Sequence, residues 1–564
     1  RSDLYSLGVV FFRILSGEMP FQSTDVNKLM HEQVAVEAPR IREKKSGISK
    51  TIEEIITKLL QKEPDLRYQS TKGLLYDLER FERGEKEFLI GERDQKVKLT
   101  YQTKLIGRDE EIETIKKIYE KAENSEGAVI FIGGEPGAGK SRLVEGIKEY
   151  LYEKGYEDDL FLSGRCLSQE NKMPYLPFRD LLNEYIRKVE KLGKEDREKE
   201  KKRIKSVVGN LGEIILQLNP HMNEIIKDPP ELVPLDPERE NQRFLMVASK
   251  LFCQIAGKDQ VGVLFLDDLQ WADEGSIGLL REIIENVKKT KLIVLGTFRD
   301  NEVGRDHSLS KLMAEGGKKG YPIYEIQVKK FDHNRMNRMI AQILGEKEVK
   351  AHKLTDYILE KTGGNVFFAI NVVRELVEEK ALIWSKDYWK EDWKKIKAIK
   401  ISANMIEVIL KRIEELSAEL NELLCIGSVI GREFEIKILY RLLSDYTKEK
   451  IIGLIDDAIE HQLIERSIEK EKVIFVHDRI KEAFYQKIGK EKKKELHLSL
   501  AKVFEEVYSN DLELVLFDLA HHYIEGGDKD KALQYALPAA KKAKQEYANE
   551  EAIRYYKISI DLLV

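Results

Sequence analysis

Cysteine and proline are scarce in this chain, with three cysteines and 13 prolines in 564 residues. Cys166, Cys253 and Cys425 stand far apart, with no C-x-x-C pair and no histidine pattern beside them. That argues against a zinc site or a disulfide framework and for free thiols in a reducing compartment. Long apolar runs are missing too: VGVLFLDD and KLIVLGTF are too short to cross a bilayer, so no membrane segment is expected. Net charge is also nearly absent, at −5 from 95 basic and 100 acidic residues, which excludes a nucleic-acid surface spread over the whole chain. There is no secretory signal and no initiator Met. The expected location is the cytoplasm.

What is present is charge of both signs, 35% of all residues, with Lys and Glu interleaved as on solvated helix faces. The length implies three to five domains. The expected fold class is multidomain and mainly α, with one α/β domain. Residues 1–82 read as helical, and 83–103 as a polar linker with a short strand or two. From 104 to 325, apolar strand-like runs (AVIFIGG, FLSGRC, VGVLFLDD, KLIVLGTF) alternate with amphipathic helices, the pattern of a parallel sheet covered on both faces. A helical insertion at 177–258 is interrupted by KDPPELVPLDPE.

Residues 326–400 read as a helical lid and 401–490 as a winged-helix-like domain, whose hairpin is QLIERSIEKEKVIFVH. From 495 to 564 the chain reads as the start of tetratricopeptide-like repeats. Small residues recur there at Ala532, Ala536, Ala539, Ala540, Ala543 and Ala552, beside Tyr555 and Tyr556. The apolar helix RSDLYSLGVVFFRIL begins at the first residue and the repeats run to the last. Both lead to the expectation of a piece cut from a longer protein.

The chemistry concentrates in GEPGAGKS, residues 134–141, between an apolar strand and a helix. Gly134, Glu135, Pro136, Gly137, Ala138 and Gly139 would fold into a nest of backbone N–H donors around phosphates. Lys140 would reach the β- and γ-phosphates of ATP, and the Ser141 hydroxyl would ligate Mg²⁺. The strand VLFLDD ends in two acids. Asp267 would hold the Mg²⁺ shell and Asp268 would orient or deprotonate the attacking water, although two such acids can also simply cap the next helix. In LGTFRDNE, Thr297 would sense the γ-phosphate and Arg299 would offset developing charge, or serve only as an ion-pair partner.

Together LIGRDEEIETI (105–115), GEPGAGKS, LDDLQWAD and LGTFRDNE resemble an AAA-type ATPase module. The resemblance extends to the signal-transduction ATPases with numerous domains, the group that includes maltose-regulator-like proteins, and covers roughly 104–490. It implies that Ile106, Gly107 and Arg108 lie near the adenine and that TGGNVFFAINVV (362–373) forms the base of the lid. Val366 stands there in place of the family's proline, while Gly364, Asn365, Phe367 and Phe368 match; Asn365 can equally be a plain helix cap above two core phenylalanines. SVIGREFEIKIL and FVHDRIKEAFYQKI resemble the winged-helix stretches, where His477 and Asp478 read as structural.

SDLYSLGVVFFRILSGEMPF and LLQKEPDLRYQS resemble the end of a eukaryotic-like serine/threonine kinase domain. Asp3 would prop the catalytic loop there and Arg67 would pair with the Glu of A-P-E, with Glu63 where Asp is usual. The kinase's Gly-rich loop, H-R-D, D-F-G and A-P-E are not in this chain. The resemblance therefore implies a signalling kinase as parent, with the ATPase as the one intact site. Further implied partners are ATP, proteins bound by the repeats, and a second copy on ATP binding. A non-hydrolysing scaffold or transcription regulator is the alternative. Its best DNA-facing segment, KKIKAIKISANMIEVILKR (394–412), reads more simply as a solvated helix face, so DNA is not an expected partner.

Overall fold

Apolar runs that alternate with amphipathic helices assemble into one parallel sheet in the computed structural model of this chain. The structure describes residues 2–21, 38–45, 47–61, 67–68, 70–85, 88–91, 105–153, 161–167, 173–255, 260–385, 388–399, 407, 410, 413, 416–467 and 471–563. They fall into two compact units, residues 1–103 with 341–347, and residues 104–340 with 348–564.

In the first unit, of the helices Ser2–Ser16, Ile41–Lys44, Lys50–Leu59 and Thr71–Glu82, the first, third and fourth pack around Leu4, Ile55, Leu59, Tyr68 and Leu74, and Ile41 of the second packs with Phe12, Ile56 and Leu60. Gly8 permits the close helix crossing, since a Cβ there would lie 2.7 Å from Leu59 Cβ. Ser49 and Ser70 cap the third and fourth helices by accepting from the amides of Ile52 and Gly73. Arg67 lies over the Tyr5 ring, 4.8 Å from its centroid, and donates to the Gln61 carbonyl at 2.6 Å. Glu63, the Asp3 side chain and most of the linker, where short strands were expected, lie outside the described residues.

The second unit holds the sheet: β1 (Ala128–Gly133), β2 (Phe161–Arg165), β3 (Gly262–Asp267), β4 (Leu292–Phe298) and β5 (Ile323–Gln327). Their order is β2-β3-β4-β1-β5, all parallel. β1 and β4 are buried at every position, which is why they read as unbroken apolar runs. Alternate residues serve opposite faces. Val129 and Phe131 join the core under the insertion helices, whereas Ile130 and Ile132 pack with Ile115, Leu143 and Ile147. Because β4 lies between β1 and β3, the phosphate loop after β1, Thr297 in β4, Asp267 of β3 and Arg165 of β2 come to one edge of the sheet. Ligands bind at such carboxyl edges in open α/β sheets.

Between β2 and β3 the insertion is helical, with Leu176–Lys191, Lys194–Val208, Gly212–Leu218 and Pro237–Ile255 as its longer helices. After β5 come helices His333–Leu344, Glu348–Thr362 and Val366–Glu378. A hairpin of β6 (Leu382–Ser385) and β7 (Tyr388–Glu391) follows. It lies within residues 326–400, the stretch expected to be a helical lid. Trp384 and Trp389 face each other across it at 5.4 Å.

Helices Ala418–Ile430, Ile436–Leu442 and Lys448–Glu460 then combine with a small antiparallel sheet. Its strands are β8 (Glu433–Glu435), β9 (Ile464–Arg466) and β10 (Lys472–Phe475), in the order β8-β10-β9. β9 and β10 are the hairpin expected from the sequence; β8 adds a third strand. Helix Asp478–Lys487 leads into four more, Lys490–Val507, Leu516–Gly526, Lys529–Gln545 and Asn549–Leu563, stacked in antiparallel sequence. The alanines Ala532, Ala536, Ala539, Ala540 and Ala543 are all buried, so the helices approach closely where these small side chains meet. Much of the basic segment 394–412 lies outside the described residues.

Gly164 tests how tightly β2 meets the insertion. A Cβ there would lie 1.9 Å from the Pro177 carbonyl oxygen, a backbone atom that cannot step aside alone. Gly164→Ala should cost about 2 kcal/mol or more, read as a lowered urea midpoint, while Gly278→Ala, in open helical space, should change little.

Candidate functional site

The residues 134–141 form a tight loop whose carbonyls are nearly all spoken for. Lys140 Nζ donates back to the carbonyls of Gly134 at 2.7 Å and Glu135 at 3.1 Å. The Pro136 carbonyl accepts from Asn365 Nδ2 at 2.8 Å, and that of Gly137 from the Phe367 amide at 3.1 Å. Arg108 reaches the Ala138 carbonyl at 2.9 Å and the Lys329 carbonyl at 2.8 Å. With the carbonyls turned to protein donors, the N–H groups of Gly137, Gly139, Lys140 and Ser141 have no backbone acceptor among the described residues. Gly137 (φ +79°) and Gly139 (φ +98°) supply the left-handed backbone this needs. A set of convergent amides at a helix start suits a polyphosphate.

Lys140 is buried, and burial lowers its pKa, opposed by Asp268 and reinforced by Arg299. Ser141 is exposed at the first turn of helix Lys140–Glu153. Gly107 has φ +62° and meets the Arg335 side chain, and Arg108 is only 2% exposed. Arg108 thus braces the loop from behind, between Ala138, Lys329, Glu111 and the Phe331 ring.

Thr297 Oγ donates to Asp267 Oδ1 at 2.5 Å and accepts from the Asp268 amide at 3.0 Å. One hydroxyl therefore fixes both acids, and its proton is committed to Asp267. Asp268 adopts φ +59°, a strained conformation for a residue with a side chain. Burial pushes Asp267 up, Arg165 pulls it down and Asp268 adds to the rise. The donors at Ser141 and Asp267 are all oxygen, which fits a hard cation such as Mg²⁺. These two side chains would hold it, and it would neutralise charge on phosphate oxygens.

Three arginines converge on the acids. Arg165 Nη2 lies 2.6 Å from Asp268 and 3.6 Å from both Asp267 and Asp478. Arg299 is 3.5 Å from Asp268 and 2.5 Å from Asp478, and its guanidinium covers the Trp271 ring at 4.3 Å. Arg432 is 2.9 Å from Asp478 and 3.9 Å from Asp268. Burial works against the Arg165 charge, but Asp267, Asp478 and Asp268 raise its pKa on balance. His477 stacks on Phe367 with centroids 4.0 Å apart, and burial holds it down to about 4.

The structure thus brings the loop, Asp267, Asp268, Thr297 and Arg299 to one edge, with Asn365 and Phe367 bonded to the loop itself. The sequence motifs do not single out Arg165 or Arg432, and they suggest only a structural role for His477 and Asp478. His477 does cap its helix, accepting from the Arg479 amide at 3.2 Å, but it also lies over the lid residue Phe367. A usable signal existed for Arg165, a charge closing the apolar strand β2 as Asp267 closes β3.

Thr297→Val would remove the donor to Asp267 and leave the Asp268 amide unsatisfied, a loss of about 1–3 kcal/mol. Mg²⁺-dependent binding of a fluorescent ATP analogue should weaken about tenfold, and Thr297→Ser should restore it.

Residues 104–295 match the family described as AAA ATPase domain. Over its whole length the chain is 23% identical to hybrid signal transduction histidine kinase G of Dictyostelium discoideum and 21% identical to the peroxide stress-activated histidine kinase mak3 of Schizosaccharomyces pombe. It spans 20% and 28% of those two proteins. A stretch of 85 residues is 33% identical to the serine/threonine-protein kinase PknB of Mycobacterium tuberculosis, covering 15% of this chain and 14% of that one. Among solved structures, a signal transduction ATPase with numerous domains and a tetratricopeptide repeat sensor, from Pyrococcus horikoshii, aligns with TM-score 0.43 and 14% identity, over 82% of this chain and 60% of that one.

Proposed function

We propose that this chain is the nucleotide-controlled switch of a larger signalling protein. Mg-ATP binds at residues 134–141, is hydrolysed slowly, and governs whether the winged-helix-like segment stays docked on the strand ends. The observation that carries this reading is the sharing of Asp478. It is paired at once with Arg299 and Arg165 of the sheet and with Arg432 of its own domain, so the nucleotide edge and the winged helix belong to one charge network.

The roles follow from that network. Lys140, now folded onto its own loop, would swing to the phosphates, exchanging two carbonyls for anionic oxygens. Asp268 is the candidate base or water-orienting group, yet both its oxygens are engaged. Oδ2 holds Arg165, while Oδ1 holds Gln270 at 2.9 Å and Arg299. In this arrangement it is not free to accept a proton, so the docked state would hold nucleotide without cleaving it. Undocking Asp478 would free Arg299 to face developing charge on the phosphate. The second reading, nucleotide held structurally by a scaffold or regulator, is favoured by the same blocked Asp268.

The repeats add another hold on the ATPase. Glu546 pairs with buried Arg179 at 2.8 Å, and the Tyr547 ring lies 5.3 Å from Phe244 of the insertion. Protein partners bound by the repeats would pull on these contacts, and self-association after ATP binding would use surfaces freed by undocking. Residues 1–82 are proposed as the end of a serine/threonine kinase domain in the parent protein, supported by the short PknB match. A location in the cytoplasm belongs to the same proposal; among the described residues no helix is long and apolar enough to cross a membrane.

Lys140→Ala should reduce ATP affinity at least about a hundredfold, whereas Asp478→Ala should speed single-turnover hydrolysis about tenfold by releasing Arg299. Unchanged rates in the second variant would leave the scaffold reading standing. pH gives an independent check. His477 is neutral when docked, with a pKa of about 4, while a freed imidazole takes a proton near 6.5. Its contribution to docking is therefore full above about pH 6.5 and is lost as pH falls toward 4. Nucleotide release should accelerate across that window, and His477→Gln should flatten the profile.

A further inference from the structure

Three histidines meet inside the helical repeats. His497 comes from helix Lys490–Val507, and His521 and His522 from helix Leu516–Gly526. One ring nitrogen from each lies within 4.8 Å of the others. His497 Nδ1 and His522 Nδ1 are 2.8 Å apart, and His497 Nε2 lies 3.3 Å from the Tyr485 hydroxyl. His497 is 2% exposed and His522 fully buried, yet His522 Nε2 has no hydrogen-bond partner among the described residues.

We propose that His497, His521 and His522 form a site for a divalent transition-metal ion of the zinc class, distinct from the phosphate-loop Mg²⁺ site. Three imidazoles with no oxygen donor among them suit Zn²⁺, Co²⁺ or Ni²⁺ and not Mg²⁺ or Ca²⁺. Tetrahedral ligation at about 2.0–2.1 Å puts ligand nitrogens roughly 3.4 Å apart. The close pair must open and the third nitrogen close in, shifts within reach of side-chain rotation. The rings are already in the neutral form a metal requires. Burial, with nearby cations and neighbouring histidines, holds His497 at about 4, His521 at about 3 and His522 well below its ordinary value.

His497 and His521 also line a cavity of about 600 Å³ whose other walls are the segment carrying β8–β10, the first repeat helices and the strand-end residues Arg165, Trp271 and Arg299. Three protein ligands beside a cavity leave a fourth position for solvent or an anionic group. Asp518, one turn before His521, lines the same cavity, and burial raises its pKa to about 6. The ion would join the first two repeat helices at their interface. The scarcity of cysteine gives no hint of this, because the ligands are histidines 24 and 25 positions apart, brought together only by the helical hairpin.

Titration of the untagged full chain with Co²⁺, free of nucleotide and with Mg²⁺ in excess, tests the site. One equivalent should produce the intense visible absorption of low-symmetry cobalt, displaced by Zn²⁺, and Zn²⁺ should raise the melting temperature. His521→Gln, which alters the least buried of the three, should lose the absorption and the Zn²⁺ shift. His352→Gln, which breaks the separate His333–His352 stack, should keep both. Only the faint spectrum of aqueous Co²⁺ with the unmodified chain, or an unchanged signal in folded His521→Gln, would overturn the proposal.

Discussion

One buried knot of opposite charges ties the second unit of this protein together. Asp267 and Asp268 close β3, Arg165 closes β2, Arg299 follows β4, and Arg432 and Asp478 arrive from the segment that carries β8 to β10. Asp268 and Arg299 are each only 6% exposed. Burying such charges is expensive, and their mutual attraction repays the cost only while every partner is present. The knot is therefore better suited to conditional docking than to raw stability. A ligand that draws away one member leaves the others uncompensated. On the proposed reading, that is how a small change at a phosphate would be felt by a domain whose own strands lie in another sheet.

The phosphate loop obeys the same logic at the level of the backbone. Its carbonyls are taken by Lys140, Asn365, Phe367 and Arg108, so the loop is held open by donors from four places in sequence. Two of these belong to the segment after residue 362, which packs on the loop, and one is the lysine itself. The loop is preorganised for an anion because its acceptors are satisfied elsewhere. Val366 opens the helix capped by Asn365, and the bond from Phe367 to the loop forms from the next residue along.

Much of this is legible in the amino-acid sequence. Unbroken apolar runs mark β1, β3 and β4, because strands covered on both faces are apolar along most of their length. GEPGAGKS and the LDD strand end mark the site, because phosphate binding demands glycine at fixed positions and a carboxylate at a strand terminus. The hairpin around 464–475 is readable from alternation on either side of a polar tip, whereas β6 and β7 lie in a stretch that reads as helical. Arg432 and Asp478 are opaque for another reason. A charge at the end of an element looks the same whether it faces water or another domain.

The sequence by itself determined the local chemistry: which loop can cradle phosphate, which acids lie beside it, and which alanines let helices pack closely. These depend on neighbours within a few residues, where bond geometry and side-chain type leave little choice. Only the tertiary structure decided the partnerships. It inserted β4 between β1 and β3 and laid His477 on Phe367. It also paired Asp478 with arginines 46, 179 and 313 residues away and gathered three histidines from two helices. Those meetings follow from how apolar faces are buried across the whole chain, and no short stretch of sequence carries that information.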